Sequence, residues 1–261
     1  MNKTAQMIPV YSSPTESADS VGASIVWRAV THRGLVRLHN EDAFYAGSKA
    51  NCNLFAIADG LGGHRGGAVA SRVAIDAIRS EFEKWNGKGM SRLVSEAIIS
   101  ANQEVFNEAQ WYPGLSKMQT TATLAAFEGN SLLIAHVGDC RFYRLREGRL
   151  TLLTRDHTVA SDFLRLRLIS PSGIAEHPGR HQLTRSVGSS LFVRTDIIKG
   201  KINSRDSYLL CSDGVWSNLS SDDIKDALLK NEIDKSMERL IEIPLDSGAL
   251  DNITAIVIRI K

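Results

Sequence analysis

Four aspartates stand where apolar runs end or begin. Asp59 (NLFAIADG), Asp139 (SLLIAHVGD) and Asp213 (SYLLCSDG) each follow a run of strand length and sit beside a glycine, and Asp251 stands just before ITAIVIRI. Glu41 and Asp42 add two more acids in R-L-H-N-E-D-A-F. Taken singly, an Asp-Gly pair is a turn. If the strand ends meet, however, the carboxylates repel one another unless they are protonated or share cations. Oxygen donors with no convincing Cys or His partner suit the hard ions Mg²⁺ and Mn²⁺ and argue against zinc or copper. Two bridged ions would suit phosphoryl hydrolysis, because the pair lowers the pKa of a shared water and neutralises the oxygens of an in-line displacement. Gly60, with no side chain, would let a backbone carbonyl approach such an ion closely.

The elements that must position these acids are legible from periodicity. Apolar runs of four to eight residues read as strands. Between CNLFAIADG and the next strand, Ala70, Val73, Ala74, Ala77, Ile78 and Phe82, then Val94, Ala97, Ile98, Ala101, Val105 and Ala109, follow the helical i, i+3, i+4, i+7 rhythm. Residues 121–153 read as a meander of strands turning at Gly129-Asn130 and Glu147-Gly148. Segregated strand and helix runs point to an α+β fold, with helices on the outer faces of antiparallel sheets.

Composition sets the remaining bounds. The chain has 261 residues, 43% of them apolar and 23% charged, which is ordinary for one soluble globular domain. Thirty-one basic against 29 acidic residues leave a net charge of +2, with no global field for nucleic acid or an anionic membrane. Cys52, Cys140 and Cys211 match no zinc or redox spacing and predict a reducing compartment, hence the cytoplasm. The N-terminus lacks the apolar core of a signal peptide, and no run is long enough to span a membrane. The Ser/Thr-rich segment 1–24 predicts a flexible tail, leaving 25–261 as a single domain. Within it, Pro171, Gly173, Pro178 and Gly179 predict a surface flap at about 158–180.

Eight elements in order carry a family resemblance: R-L-H-N-E-D-A-F (37–44), A-D-G-L-G-G-H (58–64), T-T-A (120–122), V-G-D-C-R (137–141), L-T-R-D-H-T (153–158), L-T-R-S-V-G (183–188), C-S-D-G (211–214) and D-N-I-T (251–254). This series resembles the metal-dependent type 2C Ser/Thr protein phosphatases, the PPM family, in their bacterial single-domain branch. The resemblance implies a central antiparallel β-sandwich flanked by helices on both faces, in four layers α-β-β-α, with metals in a channel at one edge. It further implies that Asp59 bridges two Mn²⁺ or Mg²⁺ ions, that Asp213 and Asp251 complete the first, and that the Gly60 carbonyl faces the second. Glu41 and Asp42 would hold metal-bound waters, Asp139 with Asp213 would bind a weaker third ion, and Arg37 would take the substrate phosphate. On its own, Arg37 reads equally as a solvated surface group; its planar fork, unlike a lysine, can hold two phosphate oxygens at once.

The sequence departs from the family at three places. Leu61 stands where some members carry a histidine suited to protonate the leaving group, Gln119 replaces a glycine, and Cys140 replaces a serine. The general acid is therefore left open, with His64 nearby in a glycine-rich loop. Cys140 to Arg146 satisfies the C-x₅-R spacing of cysteine-dependent phosphatases, but R-F-Y-R-L alternates like a strand and Asp139 opposes a thiolate, so it reads as a decoy. D-G-L-G-G-H-R-G-G likewise misses the dinucleotide fingerprint, because Arg65 occupies the third glycine position. Asp156 and His157 lack a nucleophile elbow and read as structural supports. Arg165 and Arg167 alternate with apolar residues, as on one solvated face, and their place in the flap offers a substrate contact as the alternative. His136, His177 and His181 give no independent signal.

These readings converge on a phosphatase that hydrolyses phosphoserine and phosphothreonine in proteins by attack of a metal-bridging water, opposing a cognate bacterial Ser/Thr kinase. The alternatives are a catalytically weak relative that binds phosphoproteins as a regulator, and a hydrolase of nucleotides or small phosphoesters using the same ions.

Overall fold

Strand β4, Cys52–Leu61, is apolar on both sides, and its alternation shows why. Leu54, Ala56 and Ala58 pack against helices, while Phe55 and Ile57 enter a second apolar layer between two sheets. A strand buried on both faces reads as a continuous apolar run, as this one does. The computed structural model describes residues 10–12, 24–61 and 66–261.

One antiparallel sheet has the order β1 (Val10–Ser12), β2 (Ile25–His32), β12 (Ile253–Ile260), β11 (Ser207–Cys211), β8 (Arg141–Arg146) and β9 (Arg149–Leu152). The other runs β10 (Asp196–Lys201), β7 (Ser131–Val137), β6 (Ala122–Glu128), β4 and β3 (Asp42–Lys49), with the short β5 (Gln119–Thr120) alongside β4. Between the sheets lies an aromatic-rich layer in which Tyr208 meets Phe127 edge-on at 5.3 Å and stacks on Phe142 at 5.6 Å. Helices α1 (Gly66–Lys84) and α2 (Met90–Trp111) cover the second sheet through Ala74, Ile78, Val94 and Ile98. On the first sheet, α5 (Ser221–Leu228) and α6 (Ile233–Asp246) bury Ile224, Met237 and Leu240. Three apolar layers thus hold four structural layers, the expected α-β-β-α sandwich.

The meander differs from its sequence reading in one respect. Both turns are present, and Glu147 and Gly148 take the positive φ angles, 51° and 73°, of a tight hairpin. But β6–β7 and β8–β9 belong to different sheets: after Val137 the chain crosses from one to the other. That crossing sets Asp139 at the edge of the sandwich.

Of the N-terminal segment 1–24, β1 is described and pairs antiparallel with β2, Val10 opposite Val30; the remainder of the tail expectation, apart from Ser24, lies outside the described residues. The flap segment contains a short helix, α3 (Val159–Arg165), whose N-terminus is capped by Thr158, and a 3₁₀ turn at Pro171–Ile174. The alternation of Arg165 and Arg167 is not that of a strand: Arg165 ends α3 and Arg167 adopts a φ of 60°. A last short helix, α4, spans Asp213–Trp216. No helix among the described residues is long and apolar enough to cross a membrane.

Candidate metal centre

Strand register brings the first two acids together. Asp42 opens β3 directly opposite Asp59 near the end of β4. Thr121, between β5 and β6, fixes Asp59, its hydroxyl accepting from the Asp59 N–H at 2.9 Å and its own N–H donating to the Asp59 carbonyl at 2.8 Å. From the other sheet, Ser212 donates its hydroxyl to Asp42 Oδ2 at 2.7 Å, and Asp213 follows as the first residue of α4. Gly214 must be glycine here, since a Cβ would lie 1.9 Å from the Asn252 carbonyl. This contact packs the Asp213 turn against Asp251 and Asn252.

Asn252 is the clamp of the site. Its Oδ1 accepts from the Glu41 N–H at 2.8 Å, and its amide donates to the carbonyls of Arg33 and His39 at 2.8 and 3.0 Å. Arg37, within the loop so tied, places Nη2 2.6 Å from Asp251 Oδ2 and Nη1 3.9 Å from Glu41. The Glu41 carbonyl in turn accepts from the Gly60 N–H at 3.0 Å. A Cβ on Gly60 would fall 2.0 Å from the Gly67 carbonyl, so the chain after Asp59 passes where no side chain fits.

Asp139 arrives by the sheet crossing, and its carbonyl accepts from Trp216 Nε1 at 3.0 Å. Arg141 lies over the Trp216 ring at 3.6 Å and forks onto Asp156 at 2.7 and 3.0 Å. His157 accepts from the Gly138 N–H through Nδ1 at 3.1 Å. Asp156 and His157 therefore have different partners and brace the Asp139 turn, as structural supports would.

Burial and mutual repulsion dominate the electrostatics. Burial, reinforced by Asp213 and Asp251, pushes the Asp42 carboxyl up to about 7. Burial also raises Asp59, with Asp42, Asp213, Asp139 and Asp251 all adding to the effect. Asp139 and Asp213 are raised in the same way, first by burial and then by neighbouring carboxylates. Such a cluster resists ionisation unless cations neutralise it. One oxygen, Asp42 Oδ1, is buried with no hydrogen-bond partner among the described residues. Buried polar atoms are ordinarily paired, so this orphan fits a site built for a cation or its hydration shell.

A residue that sequence reading passed over also faces the cluster. His181, at the end of the flap, lies with Nδ1 3.7 Å from Asp213 Oδ2, and its ligand atom is within 4.8 Å of those of both Asp139 and Asp213. Its ring stacks near Trp216 at 6.1 Å. No spacing rule links it to acids 32 and 42 residues away, so only the fold reveals the trio. His64 lies outside the described residues, as does Arg65. Cys140, the decoy nucleophile, is fully buried, its thiol pushed far up by burial and by Asp59 and Asp139. Arg146 faces elsewhere, forking onto Asp206 at 2.7 and 2.8 Å.

Comparison with known proteins identifies the family and the fold. Residues 31–251 match the family model described as Protein phosphatase 2C. The serine/threonine protein phosphatase PstP of Mycobacterium tuberculosis is 36% identical over 231 residues, which cover 88% of this chain but 44% of that longer protein. The serine/threonine phosphatase stp of Listeria monocytogenes is 31% identical across 87% of this chain and 93% of its own. The crystal structure of M. tuberculosis PstP superposes with a TM-score of 0.85 at 35% identity, covering 91% of this chain and 99% of that one. A PstP catalytic domain in complex with two manganese ions superposes at 0.82, with 34% identity, over 90% and 98% of the respective chains. By sequence and by fold, this chain belongs to the protein phosphatase 2C family.

Proposed function

We propose that this chain is a metal-dependent protein phosphatase acting on phosphoserine and phosphothreonine. The observation that carries this reading is the meeting of Asp42, Asp59, Asp139, Asp213 and Asp251 at one sandwich edge, with a buried carboxylate oxygen left unpartnered. In this reading Asp59, Asp213 and Asp251 would hold one Mn²⁺ or Mg²⁺ ion, and Asp59 with the Gly60 carbonyl would hold a second. Glu41 and Asp42 would hold the ions' water shells. When bound, the ions would lower the pKa of a shared water and so supply a nucleophile at neutral pH.

The protein's own contribution is positioning. Arg37 pairs with Asp251; with cations balancing that carboxylate, the guanidinium would be free to fork onto two phosphate oxygens. Asp139, Asp213 and His181 suit a third, weaker ion. Arg180 Nε donates to His181 Nε2 at 3.0 Å, which leaves the ring proton on Nδ1 facing Asp213.

The regulator alternative requires a broken acid set, and here every acid of the set is in place. A cognate Ser/Thr kinase belongs to this proposal, as does the cytoplasm, where the buried free thiols would stay reduced. The test is turnover of phosphothreonine peptides against nucleotides with Mn²⁺. Preference for the peptides supports a protein phosphatase; preference for nucleotides assigns the same ions to a small-phosphoester hydrolase.

A further inference from the structure

Four large aliphatic side chains close in the chain to Arg37 or to its partner Asp251 face water. Leu35, Val36 and Leu38 are 55%, 60% and 77% exposed, and Leu250, on the loop that pairs with theirs, is 71% exposed. Single exposed leucines are unremarkable, whereas a cluster beside a functional cation marks a binding surface.

These side chains cannot escape water by a local shift of the loops. The Leu35 N–H donates to the Ala249 carbonyl at 3.0 Å, and Asn252 clamps the carbonyls of Arg33 and His39. Gly34, at a φ of 79°, would place a Cβ 2.2 Å from the Asp251 carbonyl, so the two loops touch backbone to backbone. The apolar side chains are therefore presented on a fixed frame with the guanidinium among them.

We infer that this frame reads the residues flanking the phosphorylated side chain of a protein substrate, and that those residues are apolar. The inference rests on the phosphatase reading and adds a substrate preference to it. Charge complementarity fixes the centre: a phosphate dianion belongs at Arg37. In an extended segment the neighbouring residues lie only about 3.4 to 7 Å along the chain, so aliphatic or aromatic side chains next to phosphothreonine reach Leu35, Val36, Leu38 and Leu250. Burying even one leucine-sized side chain is worth tenfold or more in affinity, by order of magnitude.

The experiment compares kcat/KM for phosphothreonine peptides of equal net charge whose flanking positions are either Leu/Ile or Ser/Gly, with manganese present. The wild-type protein should favour the apolar-flanked peptide by about tenfold or more. In the Leu38→Ser/Leu250→Ser variant that ratio should fall toward one; both sites are exposed, and turnover of the polar-flanked peptide reports that the variant is folded. A wild-type ratio near one overturns the inference, as does a variant that keeps the wild-type ratio. A wild-type dimer that dissociates in the variant would assign the patch to a second copy of this chain and overturn it too. If neither peptide is hydrolysed, the phosphatase reading fails and this one with it, whereas equal turnover of both sinks the flanking preference alone.

Discussion

Arg37 and Asp251 face each other across two loops at 2.6 Å, so the residue expected to hold phosphate rests on a residue expected to hold metal. In the proposed reading, the cation and anion sites share one carboxylate. Metal binding at Asp251 and release of Arg37 toward substrate are therefore linked.

Arg37→Ala should lower kcat/KM for p-nitrophenyl phosphate about thirtyfold. This corresponds to about 2 kcal/mol, the lower end for truncating a charge-assisted pair, because Arg37 is 45% exposed and partly screened. Steady-state kinetics checks it: KM rises alone if ground and transition states are gripped equally, and kcat falls as well if the transition state is gripped harder. Manganese affinity, read by calorimetry, should not weaken, since the variant removes a competitor for Asp251.

Asp213→Asn should abolish most turnover yet raise the melting temperature of the chelated protein. Asp213 is pushed up by burial and by Asp251, and it raises Asp59 and Asp139 in turn, so deleting its charge relieves repulsion in the metal-free cluster. Thermal unfolding in chelator reads the gain. A lower melting temperature would show that the carboxylate is a net stabiliser without metal.

Two buried histidines set an acid limit on stability. Burial and the neighbouring His157 hold the His136 ring down to about 3, and burial followed by Arg185 lowers His157. A histidine depressed on folding stabilises fully above its unfolded pKa, about 6.5, and loses that contribution as pH falls toward the folded value. His136→Asn removes the bonds to Thr123 and the Arg155 carbonyl and should destabilise the protein at pH 7. The difference in unfolding free energy from wild type should then shrink between pH 6.5 and 4, measured by urea denaturation in chelator. Comparing the two proteins at each pH cancels the titration of the shared acid cluster.

Cys140→Ser should retain turnover. The thiol is fully buried against Thr121 at 3.2 Å, and burial with two adjacent carboxylates keeps it protonated. Phosphate release by a folded variant measures this; complete loss would return the cysteine to the chemistry.

Residue pattern made much of this legible. The apolar runs and the rhythm of α1 and α2 pointed to antiparallel sheets with helices outside, the sandwich itself came from the resemblance, and the aspartates at strand ends marked the acid cluster. Other features depended on distance in three dimensions. The crossing between β7 and β8 follows from which sheet each strand joins, which alternation along one strand does not encode. The α5–α6 face went unread from periodicity, although Ser220 and Asp223 form a capping box at the start of α5. His181 shares no periodicity with Asp139 or Asp213, and the pairing of Arg37 with Asp251 spans 214 residues.

In the proposed reaction a cation-activated water, not a protein nucleophile, attacks the phosphate. The most direct measurement is phosphate release from a phosphothreonine peptide by chelator-stripped protein titrated with Mn²⁺. The account predicts no release before addition and a rate that rises with manganese to saturation. Full release by the stripped protein would contradict it.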